Sequence, residues 1–227
     1  MKLIPLAALA ALSVTLGMAQ DSKPTGLETQ QQISSYGIGM NVGKRFRHEY
    51  IQIDMEAFMK GFKDALAGKE SIVSEAQLEK AMEALRLEVE QRSQVEAKQS
   101  EKAGADFLAA NKAKEGVVTL PSGLQYKVIK QGSGPKPKAT DTVKTHYEGT
   151  FIDGGVFDSS IKRGEPATFP VNGVIAGWTE ALQLMPVGSK WQLFVPAALG
   201  YGDSQTGPIK ANSTLIFEVE LLSIEGK

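Results

Sequence analysis

Between Ser74 and Asn111 the chain has no proline and a single glycine, Gly104, and no other stretch of its 227 residues runs so long without punctuation. Proline and glycine are the residues that break a helix, at about 3 and about 1 kcal/mol relative to alanine. Ser74 and Gln77 have the spacing of a capping box, so a helix is predicted to open at Ser74 and to continue to about Asn111. At 1.5 Å per residue, ~38 residues reach roughly 57 Å. A rod of that length suits a connection between two bodies. Its first part carries Leu78, Met82, Leu85 and Val89 at 4-3-4 spacing, a seam suited to another helix. From Glu90 to Lys102 it is almost entirely polar or alanine, as expected of a helix that crosses solvent. Gly104 is its expected weak point.

Two shorter helices are predicted upstream. The first spans residues 28–50, with Ile33, Tyr36, Met40 and Phe46 near one stripe. It contains Gly37, Gly39 and Gly43, and close approach of a second helix is the natural compensation for their cost. The run GIGMNVG lacks G-x-G-x-x-G spacing and a preceding strand, so it does not read as a phosphate loop. Asp54 is placed to cap a second helix, Met55 to Ala67, with Gly68 beyond its end and Met55, Phe58, Met59, Phe62 and Leu66 on its apolar face. Two short helices and the apolar start of a third make a small core. A twofold dimer would cover their faces economically; a hairpin folded on itself is the alternative.

Residues 1–19 read as a signal peptide: Lys2, an apolar run from Leu3 to Leu16, then Gly17 and Ala19. Export to a bacterial periplasm or cell surface is the expectation. The chain has no cysteine, which removes disulfides, thiol catalysis, thiolate metal sites and a lipid anchor on cysteine. Its two histidines, His48 and His146, are far apart, so an imidazole-based metal site is not expected. A formal net charge of −1 offers no basic surplus for nucleic acid.

After Asn111 glycine and proline recur and the period becomes two. Leu124, Tyr126 and Val128 alternate as a half-buried strand, and Val143, Thr145 and Tyr147 share one face of another. Strands are also predicted over Lys190–Val195 and Thr214–Ile224, with one short helix beginning near Gly177. This is an α+β pattern. Within it, the stretch from His146 to Trp178 concentrates Tyr147, Phe157, Phe169 and Trp178 in a chain with only 7% aromatics. Asp158 follows an aromatic directly and Arg163 lies five residues on. Apolar walls with a few fixed polar groups are the usual make-up of a small-ligand pocket. No nucleophile with its base, metal cage or phosphate loop is discernible.

The runs YEGTFIDGGVFDSS, VIAGWTEAL, PAALGYG and NSTLIFEVELL, in that order, resemble the FKBP-type peptidyl-prolyl isomerases over about half the chain, from roughly Gly116 to Lys227. The N-terminal half resembles the dimerisation segment and connecting helix of the Mip subgroup of that family. The resemblance implies a curved antiparallel sheet around one short helix, behind an all-α dimerisation segment. The implied division is a signal peptide at 1–19, a dimerisation domain at 20–73, a connecting helix at 74–112 and an isomerase domain at 113–227. The implied activity is cis–trans isomerisation of X-Pro bonds, assisting the folding of exported proteins; a client-binding chaperone with little turnover is the alternative.

In that likeness Trp178 is the floor under the proline ring. Tyr147, Phe157, Val174, Ile175 and Phe217 are walls, with Phe169 beside them. Tyr201 offers its hydroxyl to a substrate carbonyl, Asp158 sits at the rim near Tyr147 held by Arg163, and Ile209 closes one side. No cofactor or metal is implied. Unfolded, proline-containing clients, a second copy of the chain through residues 20–90, and macrolide inhibitors are the implied partners. The chain departs from the pattern at Ala167, where some relatives carry an aromatic, and in the short, histidine-free loop Asp203–Asn212.

Overall fold

The computed structural model describes residues 26–226, so the signal peptide expected at 1–19 lies outside the described residues. The chain divides into two units, one ending at Arg45 and the other beginning at Phe46. Helix α1 (Gln30–His48) buries no residue. Helix α2 (Met55–Leu66) also buries none, and Asp54 caps it by accepting the Ala57 N–H. Helix α3 (Glu75–Asn111) opens on the full capping box, with Ser74 and Gln77 satisfying each other's backbone donors.

The far end of α3 is welded to the sheet that follows. Asn111 donates to the Gln125 side chain at 3.0 Å, and Gln125 returns a hydrogen bond to the Leu108 carbonyl at 2.9 Å. Both amides are buried, so each must find a partner, and they find each other. Phe107 packs on Phe194 with ring centres 6.0 Å apart. Gly104 proves to be a contact point and not a weak one. A Cβ there would meet Thr214 Oγ1 at 2.3 Å, so only glycine lets the helix lie this close.

Seven strands form one antiparallel sheet in the order β1-β2-β6-β7-β3-β4, with β5 also paired to β3. They are β1 (Val117–Thr119), β2 (Gln125–Lys130), β3 (Thr142–Phe151), β4 (Val156–Ser159), β5 (Ala167–Pro170), β6 (Lys190–Val195) and β7 (Leu215–Ile224). Strand β3 is the spine: β7 runs along one edge, while β4 and β5 share the other. Between β4 and β5 lies one turn of helix, α4 (Ser160–Arg163). Helix α5 (Ala176–Leu184) contributes Trp178, Ala181 and Leu182 to the same buried cluster as Val143, Leu193, Leu215 and Val219. Gly177 lets it approach β6, because a Cβ there would meet Val195 at 2.8 Å.

The antiparallel sheet around one short helix agrees with the expected α+β fold. In β2, however, the expected alternation fails. Gln125 is buried while Val128 is 38% exposed. The near end of the strand is covered by α3 and the far end is bare, so docking and not alternation sets its burial pattern.

Candidate active site

Trp178 lies almost fully buried at the start of α5, and three rings meet it edge to face. Tyr147, Phe217 and Phe169 have centroids 5.3, 5.4 and 5.9 Å from it, at interplanar angles of 84–87°. Edge-to-face contacts of this kind hold rings in fixed orientations. Above them is a cavity of about 470 Å³, a size that suits a small ligand or one or two residues of a chain. Its lining is Tyr147, Phe157, Asp158, Phe169, Gly173, Val174, Ile175, Trp178, Tyr201 and Phe217. It contains no serine, cysteine, lysine or histidine. Among the described residues no cluster of acidic, histidine or cysteine side chains could hold a metal ion.

A β-bulge builds one wall. Gly149 pairs with Asp158 but Thr150 pairs with Val156, so Phe157 is the extra residue. Successive residues of a regular strand point to opposite faces, whereas a bulge re-aims one of them. Phe157 and Asp158 therefore both reach the cavity. Gly149 makes room for this: a Cβ there would stand 2.6 Å from the Phe157 ring and 3.0 Å from Phe217.

The chain then turns back at once. Ser159 caps α4 by accepting the Lys162 N–H at 3.2 Å, and Gly164 ends it in the left-handed conformation at φ 80°. This single turn returns Arg163 to Asp158. Arg163 Nη1 donates to Asp158 Oδ1, the Tyr147 hydroxyl donates to Asp158 Oδ2, and Arg163 Nη2 reaches the Tyr147 oxygen at 3.0 Å. The guanidinium also lies 5.5 Å from the Tyr147 ring centre. Ser160, fully buried, accepts the Tyr147 N–H at 2.8 Å and donates to its carbonyl at 3.2 Å.

Burial pulls the Asp158 carboxyl up, but hydrogen bonds from Tyr147 and Arg163 and the guanidinium charge outweigh it and hold the group below the usual carboxylate range. Burial, followed by the bond to Asp158, pushes the Tyr147 phenol up, against the opposing pull of Arg163. At neutral pH the trio is thus a carboxylate, a guanidinium and a protonated phenol.

The residues singled out in sequence come together with two exceptions. Arg163 stands outside the lining and acts on it through Asp158 and Tyr147. Ile209 is buried in the core cluster and is not part of the lining, although it was expected to close one side. Sequence reasoning missed what Gly149 does at the bulge, and it missed Ser160. Only the run Asp158-Ser159-Ser160 hinted at the last, since serines next to a strand end often cap or brace a turn.

Residues 134–222 match the family described as FKBP-type peptidyl-prolyl cis-trans isomerase, and residues 31–128 match the domain amino-terminal to it. The chain is 45% identical to the outer membrane protein MIP of Legionella longbeachae, over 99% of this chain and 98% of that one. It is 47% identical to the FKBP-type 22 kDa peptidyl-prolyl cis-trans isomerase of Escherichia coli K12, over 87% and 97% respectively. The crystal structure of FkpA from Escherichia coli superposes with a TM-score of 0.64 at 35% identity, covering 87% of this chain and 98% of that one.

Proposed function

The chain belongs to the FKBP-type peptidyl-prolyl cis-trans isomerases, and from that premise we propose that the ring-walled cavity over Trp178 is where it isomerises X-Pro bonds of exported clients. The observation that carries this reading is the combination of an aromatic cavity, lined by no serine, cysteine, lysine or histidine, with one carboxylate held ionised at its rim.

An X-Pro amide resists rotation because of its partial double-bond character, with a barrier of roughly 18–20 kcal/mol. Twisting breaks the resonance, leaves the lone pair on nitrogen and weakens the carbonyl dipole. The twisted form is therefore less polar than either planar form. An apolar cavity that replaces water favours it, which is selective binding of the transition state. Each 1.4 kcal/mol of that preference is about tenfold in rate. Trp178 supports the proline ring. Tyr147, Phe157, Phe169, Val174, Ile175 and Phe217 exclude water, and the Tyr201 hydroxyl donates to a substrate carbonyl. Asp158, set by Arg163 and Tyr147, fixes the approach of the chain.

The same proposal takes residues 20–73 as a dimerisation domain, 74–112 as its connecting helix and 113–227 as the isomerase domain. Support comes from apolar faces left bare on each helix: Tyr36 on α1, Phe62 and Leu66 on α2, and Met82 on α3 are all at least half exposed. A second copy would cover them through residues 20–90. Two heads on one dimer would engage a client at two points and gain from effective concentration. Cleavage after Ala19 would deliver the chain to the periplasm or cell surface, and no described helix is long and apolar enough to cross a membrane. Macrolides that fill the cavity would inhibit.

A protease-free assay of proline-limited refolding tests the reading. The protein should accelerate the slow phase, and Asp158→Ala and Trp178→Ala should lose most of that acceleration. If refolding stays slow with the wild type while aggregation of the client is suppressed, the protein grips and does not catalyse.

A further inference from the structure

Tyr201 stands at the start of a loop that closes on itself and is fastened from outside. The Asn212 N–H bonds the Gly202 carbonyl at 2.7 Å, and Thr206 and Ile209 exchange both backbone hydrogen bonds at 2.9 Å. The Ser204 N–H returns to the Tyr201 carbonyl at 3.2 Å. The loop is therefore a small hairpin, and Ile209 plants it in the core. Two further side chains reach out to other elements. Gln205 donates to the His48 carbonyl at 2.8 Å and stands 2.9 and 3.1 Å from the two His48 ring nitrogens. Lys210 pairs with Glu96 on α3.

The groups that receive them are themselves joined. Arg92, one turn before Glu96, donates to the Tyr50 carbonyl at 3.3 Å. The Ile51 N–H bonds back to the Phe46 carbonyl at 2.8 Å. Burial raises the Tyr50 phenol, which also feels Lys210 and Glu96. Residues 46–51, α3 and the hairpin thus form a three-way junction, and the hairpin begins with a cavity residue.

We propose that Gln205 and Lys210 are positioning residues for isomerisation: by fastening the 201–212 hairpin to His48 and Glu96, they hold the Tyr201 hydroxyl where it meets the substrate. Tyr201 is 37% exposed, whereas Tyr147, Trp178 and Phe217 of the same cavity are buried. A hydroxyl contributes to a transition state only when its place is fixed beforehand. On this account the helical part of the chain tunes the catalytic rim, and the same cavity on a head lacking residues 46–51 and 96 would turn over with a looser Tyr201. The inference rests on the role assigned above to Tyr201.

The test is a double-mutant cycle in the full-length protein, read as kcat/KM on a proline tetrapeptide without protease. Gln205→Ala should lower kcat/KM about threefold in the wild type, the scale of one lost hydrogen bond, and should do nothing further in a Tyr201→Phe background. Lys210→Glu should cost a similar amount, and Glu96→Lys should restore it. Amide exchange at Gly202 and Ser204 should quicken in Gln205→Ala while the β7 amides stay protected. Equal losses in both backgrounds, or no loss in either, overturn the proposal. If Tyr201→Phe is costly but Gln205→Ala is silent, the tyrosine keeps its role and the positioning claim falls. If Tyr201→Phe itself is silent, the assigned role of the hydroxyl fails and the positioning claim goes with it.

Discussion

Helices α1 and α2 carry apolar side chains, among them Tyr36 and Met40 on the first and Phe58, Phe62 and Leu66 on the second, yet neither helix buries a single residue. The sheet and α5, by contrast, build a closed core, with Leu182, Leu193, Leu215, Val219 and Leu221 fully enclosed, and their bare apolar positions, Val118, Val128, Ile129 and Val156, are confined to β1, β2 and β4. The difference shows that hydrophobic content does not decide whether a segment folds alone. What matters is whether the chain can bring a second layer to cover the first. The sheet has α5 for that purpose. The two short helices lack enough chain to build such a layer, and in the proposed dimer a partner copy would supply it.

Several measurements would break or sharpen this contrast. The largest effect is expected from Trp178→Ala, which removes the centre of the ring cluster. It should destabilise the sheet domain by about 3–5 kcal/mol and cut isomerase activity at least tenfold, while sedimentation still finds a dimer. If the dimer is lost with the head, the two regions are not independent. Phe62→Glu works from the other side. It places a charge on the bare face of α2 and should weaken dimerisation about hundredfold, ~2.7 kcal/mol, with kcat/KM per head on a short peptide unchanged.

Glycine to alanine substitutions give a smaller and more pointed comparison. In an exposed helix the change gains about 1 kcal/mol. At Gly104 it should instead lose about 1–3 kcal/mol in thermal or denaturant unfolding, because the new Cβ meets Thr214. Gly39 has open space around it within the single chain. There alanine should raise the helicity of dissociated protein while weakening the dimer, if that space belongs to the partner helix.

The smallest effect expected is that of pH. Asp158 is held below its ordinary range, so its contribution is complete above the unfolded value of about 3.9 and lost only as pH falls through the lower folded value. Tyr147 is raised, so its contribution is complete below about 10 and lost as pH rises through the higher folded value. Activity on a peptide should therefore be level from about pH 4 to about pH 10. A bell centred near neutrality would reveal an acid–base pair that this cavity does not contain.

Legibility in the sequence followed the range of the interactions concerned. The capping box at Ser74 and Gln77, the Asp54 cap and the strand Lys190–Val195 were readable because each is settled by neighbours a few residues apart. The short strand β4, the turn of α4 and strand β5 were not, since four-residue elements carry too little periodicity to stand out. The trio of Tyr147, Asp158 and Arg163 came from family likeness; spacing alone would have left Asp158 a turn residue and Arg163 a surface cation. Ile209, expected at one side of the cavity, is buried in the core cluster, and a loop sequence does not say which of its residues the core will claim.

By itself, the sequence determined the local grammar: where the long helix starts, which runs are strands, and that no thiol chemistry is available. Caps, turns and periodicity act over a few residues, so they are written where they act. Tertiary structure alone decided that Gly104 is a docking point, that a bulge turns Phe157 and Asp158 toward the same cavity, and that the Tyr201 hairpin is tied to His48 and Glu96. Each of these depends on atoms far apart in the chain meeting at ångström range, and packing, not pattern, sets that distance.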